Sequence, residues 1–195
     1  GGTYTVKGKV PAVYSRGVLL YDGTGYILVY KTSDVKVGDE VAVSGTTTEY
    51  GGLQQYPTDG TEVSVLKAGN GTYTQPKAKT MGSAEFEAYA NAPYVAYVTY
   101  TGKLTINGNY YNVAIDGTEK QGSLAYVPEG MVSADLNGKN GVVYGYTVVS
   151  ASKGKYVNTM VTSVAEAASG AKMNGMRRAA ASKANKSVVY KFDGT

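Results

Sequence analysis

The chain has 195 residues, enough for one large domain or two small ones, and it contains 26 glycines and 19 tyrosines but only two phenylalanines. It contains no cysteine, histidine or tryptophan, which excludes disulfides, thiol nucleophiles, Ser-His-Asp triads, Cys/His zinc sites and His-ligated haem. The net charge of +4 is uneven, because residues 1–167 carry 13 basic and 14 acidic residues, whereas residues 168–195 carry six basic residues and one acidic residue.

The first third of the chain predicts five short strands. Apolar and polar residues alternate in the first strand until Pro11, which cannot donate to a ladder and predicts an edge or a bend. Asp22-Gly23-Thr24-Gly25 has the composition of a hairpin turn, and Gly45 predicts a bend or bulge in the fourth strand. The predicted strands are residues 4–10, 18–21, 26–30, 41–45 and 61–66. Short strands with frequent turns are typical of a sandwich or small barrel.

One helix is predicted after a connector at residues 67–79. It covers Ser83–Ala90, with Ser83 as N-cap and acidic residues in the first turn. Phe86 with Tyr89 or Ala90 would form its buried stripe. We expect it to close the end of a barrel, and the alternative is a helix that binds a partner.

Two sequence landmarks recur at a spacing of 94 residues, and a third recurs at 100. They are Gly8-Lys9-Val10 with Gly102-Lys103-Leu104, Asp22-Gly23-Thr24 with Asp116-Gly117-Thr118, and Val43-Ser44-Gly45 with Val143-Tyr144-Gly145. A fixed spacing indicates an internal repeat. The predicted strands of the second copy are residues 94–106, 110–115, 123–127, 142–150 and 155–165.

The repeat predicts two consecutive domains and a tail. Domain 1 is residues 1–80, domain 2 is residues 81–167 with the helix at its start, and residues 168–195 are a basic extension. In the extension, residues 171–184 have a weak helical pattern and residues 187–192 a strand pattern, which we interpret as the start of a truncated further domain. The start at Gly1-Gly2 without Met leads us to expect that an export segment or tag was removed.

The segment at residues 37–56, VGDEVAVSGTTTEYGGLQQY, resembles the fourth and fifth strands of OB-fold modules in secreted bacterial proteins. These modules occur beside extracellular nucleases and in tandem in surface lipoproteins of gut bacteria. The resemblance implies an all-β fold of two consecutive five-stranded Greek-key barrels and an exported, periplasmic or cell-surface lipoprotein. The second copy lacks the Val-Gly-Asp turn and has Leu136-Asn137-Gly138-Lys139-Asn140 in its place.

OB-folds bind extended ligands across strands two and three and the flanking loops. In the first copy this face and loop would hold Tyr14, Arg16, Tyr21, Tyr26, Tyr30, Lys31, Tyr50, Gln54 and Tyr56. Tyrosine rings offer stacking surfaces, and Arg16 and Lys31 could meet phosphates. Any single tyrosine could instead pack in the core, because the chain has few other aromatic residues.

The second copy offers a similar set of aromatic residues with few cations, which suits sugars or protein better than polyanions. Its tyrosines are Tyr97, Tyr100, Tyr110, Tyr111 and Tyr126.

We therefore predict a non-enzymatic module without cofactor or metal. Its partner would be single-stranded nucleic acid or a glycan, and the alternative is a structural or adhesive unit contacting other domains of a larger surface protein. No apolar run approaches the ~20 residues of a membrane-spanning helix. Burial of the predicted face by the second domain would favour the structural alternative.

Overall fold

The computed structural model describes residues 1–125 and 127–168, which form thirteen strands and one α-helix. The predicted all-β class is confirmed, while Tyr126 and the predicted elements of the basic extension lie outside the described residues. The elements are β1 (Thr3–Tyr14), β2 (Gly17–Tyr21), β3 (Tyr26–Val29), β4 (Glu40–Thr46), β5 (Thr48–Tyr50), β6 (Leu53–Tyr56), β7 (Glu62–Lys67), β8 (Lys79–Thr80), α1 (Ser83–Asn91), β9 (Tyr97–Asn107), β10 (Tyr110–Ala114), β11 (Gln121–Leu124), β12 (Asn140–Ala151) and β13 (Tyr156–Glu166). A 3₁₀ turn lies at Ala134–Leu136.

The second half of the chain closes into a five-stranded barrel. β9 pairs with β10 and β12, β10 pairs with β11, and β13 joins β11 in parallel and β12 in antiparallel orientation. The order β12-β9-β10-β11 is that of a Greek key. β8 adds to the outside of β9 as a short parallel strand.

The first half forms an open seven-stranded sheet in the order β5-β6-β3-β2-β1-β4-β7, so the closed five-stranded barrel predicted there is not confirmed. β6 pairs in parallel with β3, whereas β7 pairs with β4 at the far edge. Only residues 57–61 separate these two strands in sequence, and they include Pro57, which has no N–H to donate, and Gly60, whose φ is +69°. The short link therefore brings β6, which lies next to one edge of the sheet, near β7 at the other edge.

The first strand of each half is fastened to a glycine turn by the same pair of backbone hydrogen bonds. In the first sheet, Val10 N–H donates to the Asp39 carbonyl at 2.9 Å and Gly38 N–H donates to the Val10 carbonyl at 2.8 Å. The corresponding bonds in the barrel, both 2.8 Å, run from Leu104 N–H to the Lys139 carbonyl and from Gly138 N–H to the Leu104 carbonyl. Gly38 and Gly138 both have positive φ, +88° and +80°. The turn at residues 136–140 thus takes the place of the Val-Gly-Asp turn.

The buried carboxylate of Asp39 holds the first of these turns to the connector. Its Oδ1 accepts from Gly69 N–H at 2.7 Å and its Oδ2 accepts from Lys36 N–H at 2.9 Å. The hydrogen bond from Gly69, followed by that from Lys36, lowers the pKa of Asp39 below its ordinary value. In the barrel, the equivalent Lys139 is half exposed and pairs with Glu166 at 2.8 Å.

The predicted helix is present, but its N-cap is Gly82 and not Ser83, which is already helical. Gly82 N–H donates to Glu85 Oε2 at 2.9 Å, so the side chain of Glu85 replaces the predicted serine cap. Phe86 and Tyr89 are fully buried, as predicted, and belong to the barrel core. The apolar face of α1 is therefore used to cover the barrel.

We expect Asp39→Asn to lower the free energy of unfolding by about 1–3 kcal/mol at pH 7, because two charge-assisted hydrogen bonds lose their anion. The folded-state pKa of Asp39 lies below its ordinary value of 3.8. The contribution of the carboxylate is therefore complete above the unfolded-state pKa and is lost as the pH falls through the folded-state pKa. Urea unfolding measured from pH 7 down to pH 2 should show that the difference in the free energy of unfolding between wild type and variant becomes smaller.

The control is Asp34→Asn, which changes an exposed carboxylate in the same loop and should leave stability unchanged. Equal losses in the two variants would contradict the role given to Asp39.

Candidate functional site

The outer face of β2 and β3 was predicted to bind ligand. This face continues onto β1, and the strand register orders it into rows. Residues directly opposite each other on neighbouring strands point to the same side of the sheet. One row is Lys9, Tyr21 and Tyr26, and the next is Ala12, Leu19 and Leu28. Pro11 lies between these rows at a register shift within β1, so it marks a bulge, in agreement with the predicted bend and not with an edge.

The barrel covers the middle row. Leu19 and Leu28 are buried in one apolar cluster with Tyr146 and Met160, and the other buried members are Ala12, Tyr14, Val148 and Val149. This cluster is a third core, separate from the interior of the first sheet and from that of the barrel. The centre of the predicted ligand face is therefore an interface, which favours the structural alternative at that position.

Polar contacts fix the position of the two halves relative to each other. Gln75 Nε2 donates to the Pro11 carbonyl at 2.9 Å, and Gln75 Oε1 accepts from the Tyr146 hydroxyl at 2.6 Å. At the other margin, Ser150 N–H donates to the Gly51 carbonyl at 3.3 Å. The connector thus joins the bulge of β1 to β12, and the β5–β6 turn is held against β12.

A cleft of about 310 Å³ remains at one margin of the interface, and we call it the tyrosine cleft. Its lining residues are Tyr14, Leu28, Tyr30, Tyr50, Gln55, Ala125, Val148, Val149 and Asn158. Both halves of the chain contribute, and none of these residues is charged. Its polar groups are the hydroxyls of Tyr30 and Tyr50 and two side-chain amides, on largely apolar walls, whereas the Tyr14 hydroxyl is buried.

Three predicted tyrosines meet in the tyrosine cleft. Tyr14 is 8% exposed and lies 6.4 Å from Tyr30 between ring centroids, with 50° between the ring planes. Tyr50 is 58% exposed. Tyr14 therefore belongs to the floor, while Tyr50 provides an accessible aromatic face at the entrance.

The other predicted aromatic residues lie elsewhere. Tyr21 and Tyr26 stack at 4.7 Å at the opposite margin. Tyr56 is fully buried in the core of the first sheet, where its hydroxyl donates to the Tyr4 carbonyl at 3.4 Å. A ligand has no access to Tyr56, because residues of β6 alternate between the core and the outer face.

The predicted polar residues are also dispersed. Lys31 Nζ donates to the Thr61 carbonyl, beside the break between β6 and β7, so this cation has a structural contact. Arg16 is exposed in the β1–β2 turn, and Gln54 is exposed on β6. Its neighbour Gln55, which points to the outer face with Leu28, is the glutamine that lines the cleft.

Sequence analysis missed Gln55 and the contributions of β12 and β13, including Asn158. These residues carry no recognisable motif, and they meet the tyrosines only because the barrel packs on the first sheet. Alternation along β6 could have singled out Gln55 over Gln54.

The tyrosines of the second copy do not form a comparable site among the described residues. Tyr100 is buried and its hydroxyl donates to Thr159 Oγ1 at 3.0 Å. Tyr110 is 73% exposed on the barrel surface. Lys155 Nζ lies 5.3 Å from the ring centroid of Tyr156.

No group of three or more acidic residues able to hold a metal ion occurs within residues 1–125 and 127–168. Across the same part of the chain, no helix combines the length and the hydropathy that crossing a membrane requires.

No protein-family model matches the sequence, and no curated protein matches it. Two solved structures are similar in backbone. One, p202 HIN1 in complex with 12-mer dsDNA, aligns with TM-score 0.40 and 9% identity over 81% of this chain and 89% of that chain. The other, described as "Structural mimicry for functional antagonism", aligns with TM-score 0.37 and 8% identity over 77% and 87%. Both TM-scores are below 0.5, so the chemistry of the site has to come from the chain's own side chains.

We expect Gly51→Ala to loosen the interface. A Cβ at Gly51 would lie 2.2 Å from Val149 Cγ2 and 2.4 Å from the Ser150 carbonyl oxygen. Gly60→Ala is the matched control, since Gly60 also has positive φ, +69° against +57°, but a Cβ there meets nothing within 4 Å. Both variants strain the backbone. Overpacking should lower the free energy of unfolding of Gly51→Ala by a further ~1–3 kcal/mol. Calorimetry measures this difference, and equal losses would contradict the close contact.

Because several tyrosine hydroxyl groups are buried at the interface, we expect the protein to lose stability at alkaline pH. Burial raises the pKa of Tyr26, Tyr73 and Tyr146 above the ordinary 10.0. Their contribution to stability is therefore complete below about pH 10 and is lost as the pH rises through their folded-state pKa values.

Tyr146→Phe should lower the free energy of unfolding by about 1 kcal/mol at pH 7, because the hydrogen bond to Gln75 is lost. Above pH 10, the stability of this variant should decline less steeply than that of the wild type. Urea unfolding at both pH values tests this expectation, with Tyr110→Phe on the exposed surface as control. An unchanged alkaline decline in Tyr146→Phe would show that ionisation of Tyr146 does not contribute to it.

Proposed function

We propose that the chain is a non-catalytic binding module of an exported bacterial protein, and that it holds a neutral oligosaccharide in the tyrosine cleft. The observation that supports this proposal is the lining itself, which combines Tyr14, Tyr30 and Tyr50 with the amides of Gln55 and Asn158 and has no charged group. Tyrosine rings can pack on the apolar faces of sugars, while amides and phenols both donate and accept hydrogen bonds with hydroxyls.

Charge favours a glycan over nucleic acid at this site. Binding of nucleic acid depends on cations that neutralise phosphates. The tyrosine cleft contains none, Lys31 contacts the Thr61 carbonyl, and residues 1–167 have one more acidic than basic residue. Single-stranded nucleic acid is therefore the weaker of the two predicted ligands.

We also propose that the first sheet is a second OB-type barrel whose fifth strand is divided into β6 and β7. The equivalent glycine turns at residues 38 and 138 support this relation. A Cβ at Gly45 would lie 2.7 Å from the Gly60 carbonyl oxygen, and one at Gly145 would lie 2.5 Å from that of Met160. The fourth strand thus approaches its partner closely at the same place in both halves.

Export and the lack of catalysis rest on the sequence. The segment at residues 37–56 resembles modules of secreted bacterial proteins. The absence of histidine and cysteine removes the commonest general base and the thiol nucleophile.

The second candidate function is a structural or interaction module of a cell-surface protein. The observation that favours it is the burial of Leu19 and Leu28 under the barrel, which uses the centre of the expected ligand face for packing. In this case the two halves would act as one rigid spacer, and the tyrosine cleft would remain empty.

Glycan binding is tested by screening an array of neutral oligosaccharides. The oligosaccharide that binds most strongly is then titrated by calorimetry. Tyr50→Ala and Tyr30→Ala should each weaken binding about tenfold through lost ring contacts. The control is Tyr110→Ala, which removes an exposed tyrosine on the barrel and should leave affinity unchanged.

Single-stranded DNA titrated at low and high salt provides the competing outcome. Salt-sensitive DNA binding without any array response would overturn the glycan proposal in favour of nucleic acid. No response to either ligand would favour the structural module.

A further inference from the structure

A second cleft, of about 480 Å³, lies at the opposite margin of the outer face, and we call it the Lys9 cleft. Its lining residues are Lys9, Tyr21, Gly38, Asn70, Thr72, Tyr73 and Thr74. It is separated from the tyrosine cleft by the covered middle row, because Tyr26 and Tyr30 are about 13 Å apart along the strand direction.

The Lys9 cleft has a positive charge that the tyrosine cleft lacks. Strand register sets Lys67, Glu40 and Lys9 side by side across β7, β4 and β1, so this row carries one net positive charge. Within residues 1–125 and 127–168, no ion pair joins Lys9 to Glu40, and Lys9 is exposed. Its ammonium group is therefore available to an anionic ligand.

Aromatic and hydroxyl groups complete the cleft. Tyr21 is held by its stack on Tyr26 at 4.7 Å and by its hydroxyl donating to the Gly23 carbonyl at 3.0 Å. The half-buried Tyr73 belongs to the connector. The connector lies tightly on the glycine turn, since a Cβ at Gly38 would come within 2.4 Å of the Thr72 carbonyl oxygen. One wall thus comes from the sheet and the other from the connector.

We propose that the Lys9 cleft binds the carboxylate-bearing ring of a uronic acid residue. The Lys9 ammonium pairs with the carboxylate, and the rings of Tyr21 and Tyr73 pack against the sugar. The Thr74 hydroxyl meets a sugar hydroxyl, and Thr72 Oγ1, which donates to Asn70 Oδ1 at 2.7 Å, accepts from another. A single ammonium suits a monoanion, whereas phosphate sites usually assemble several donors or a helix N-terminus. This site does not require a ligand in the tyrosine cleft.

The test compares methyl glucuronide with methyl glucoside, which differ in the carboxylate, by amide chemical-shift titration of the full chain. The glucuronide should shift the amides of Gly38 and Thr72 and bind more weakly at high salt, and the glucoside should bind roughly fivefold more weakly than the glucuronide. Lys9→Gln should lower glucuronide affinity roughly fivefold. The control is Lys7→Gln, which removes the same charge from an exposed position on the same strand outside the cleft. This variant should change the affinity for the glucuronide little.

Inorganic phosphate is the competing ligand. Phosphate that shifts the same amides more strongly than the glucuronide would overturn the assignment to a uronate, as would equal affinities of glucuronide and glucoside or equal effects of the two lysine variants. Retained glycan-array binding in Lys9→Gln would show that the tyrosine cleft functions separately, so each site can fail without the other.

Discussion

The outer face of β1, β2 and β3 makes an apolar contact with β12 and β13. This contact determines which parts of that face remain accessible. Leu19 and Leu28 would be exposed in the first sheet alone, but they are buried against Tyr146 and Met160. Each such side chain contributes about 1.5–3 kcal/mol when it is withdrawn from water. The hydrogen bonds of Gln75 give the contact its register, since they join the bulge of β1 to Tyr146.

This contact changes which parts of the outer face of β1, β2 and β3 a ligand can reach. An uncovered face of strands two and three would let an extended ligand cross it from end to end. Covering the middle row leaves one cleft at each margin, and the two differ in charge because Lys9 lies at one end of the strands and not at the other. An extended ligand has no continuous path across this face, and the ligands that we propose for the two clefts are accordingly short.

Glycines allow the close backbone approaches on which both halves depend. Gly38 lets the connector lie on the first turn, and Gly51 lets the β5–β6 turn touch β12. Polar groups then hold these approaches in place, with Asp39 accepting from Gly69 at the first turn. Because these carboxylate and phenol contacts depend on ionisation, the architecture is most stable between the acidic range in which Asp39 is protonated and the alkaline range in which the interface tyrosines ionise.

The sequence by itself determined the local elements. Alternation and turn residues located most strands and the helix, because side-chain periodicity and positive φ are properties of short segments. Only the tertiary structure decided that Tyr56 is core, that Leu19 and Leu28 are interface, and that Asn158 joins Tyr30 and Tyr50 at one cleft. Those outcomes depend on which strand faces which across long separations in the chain, and tyrosine can fill a core or line a site equally well.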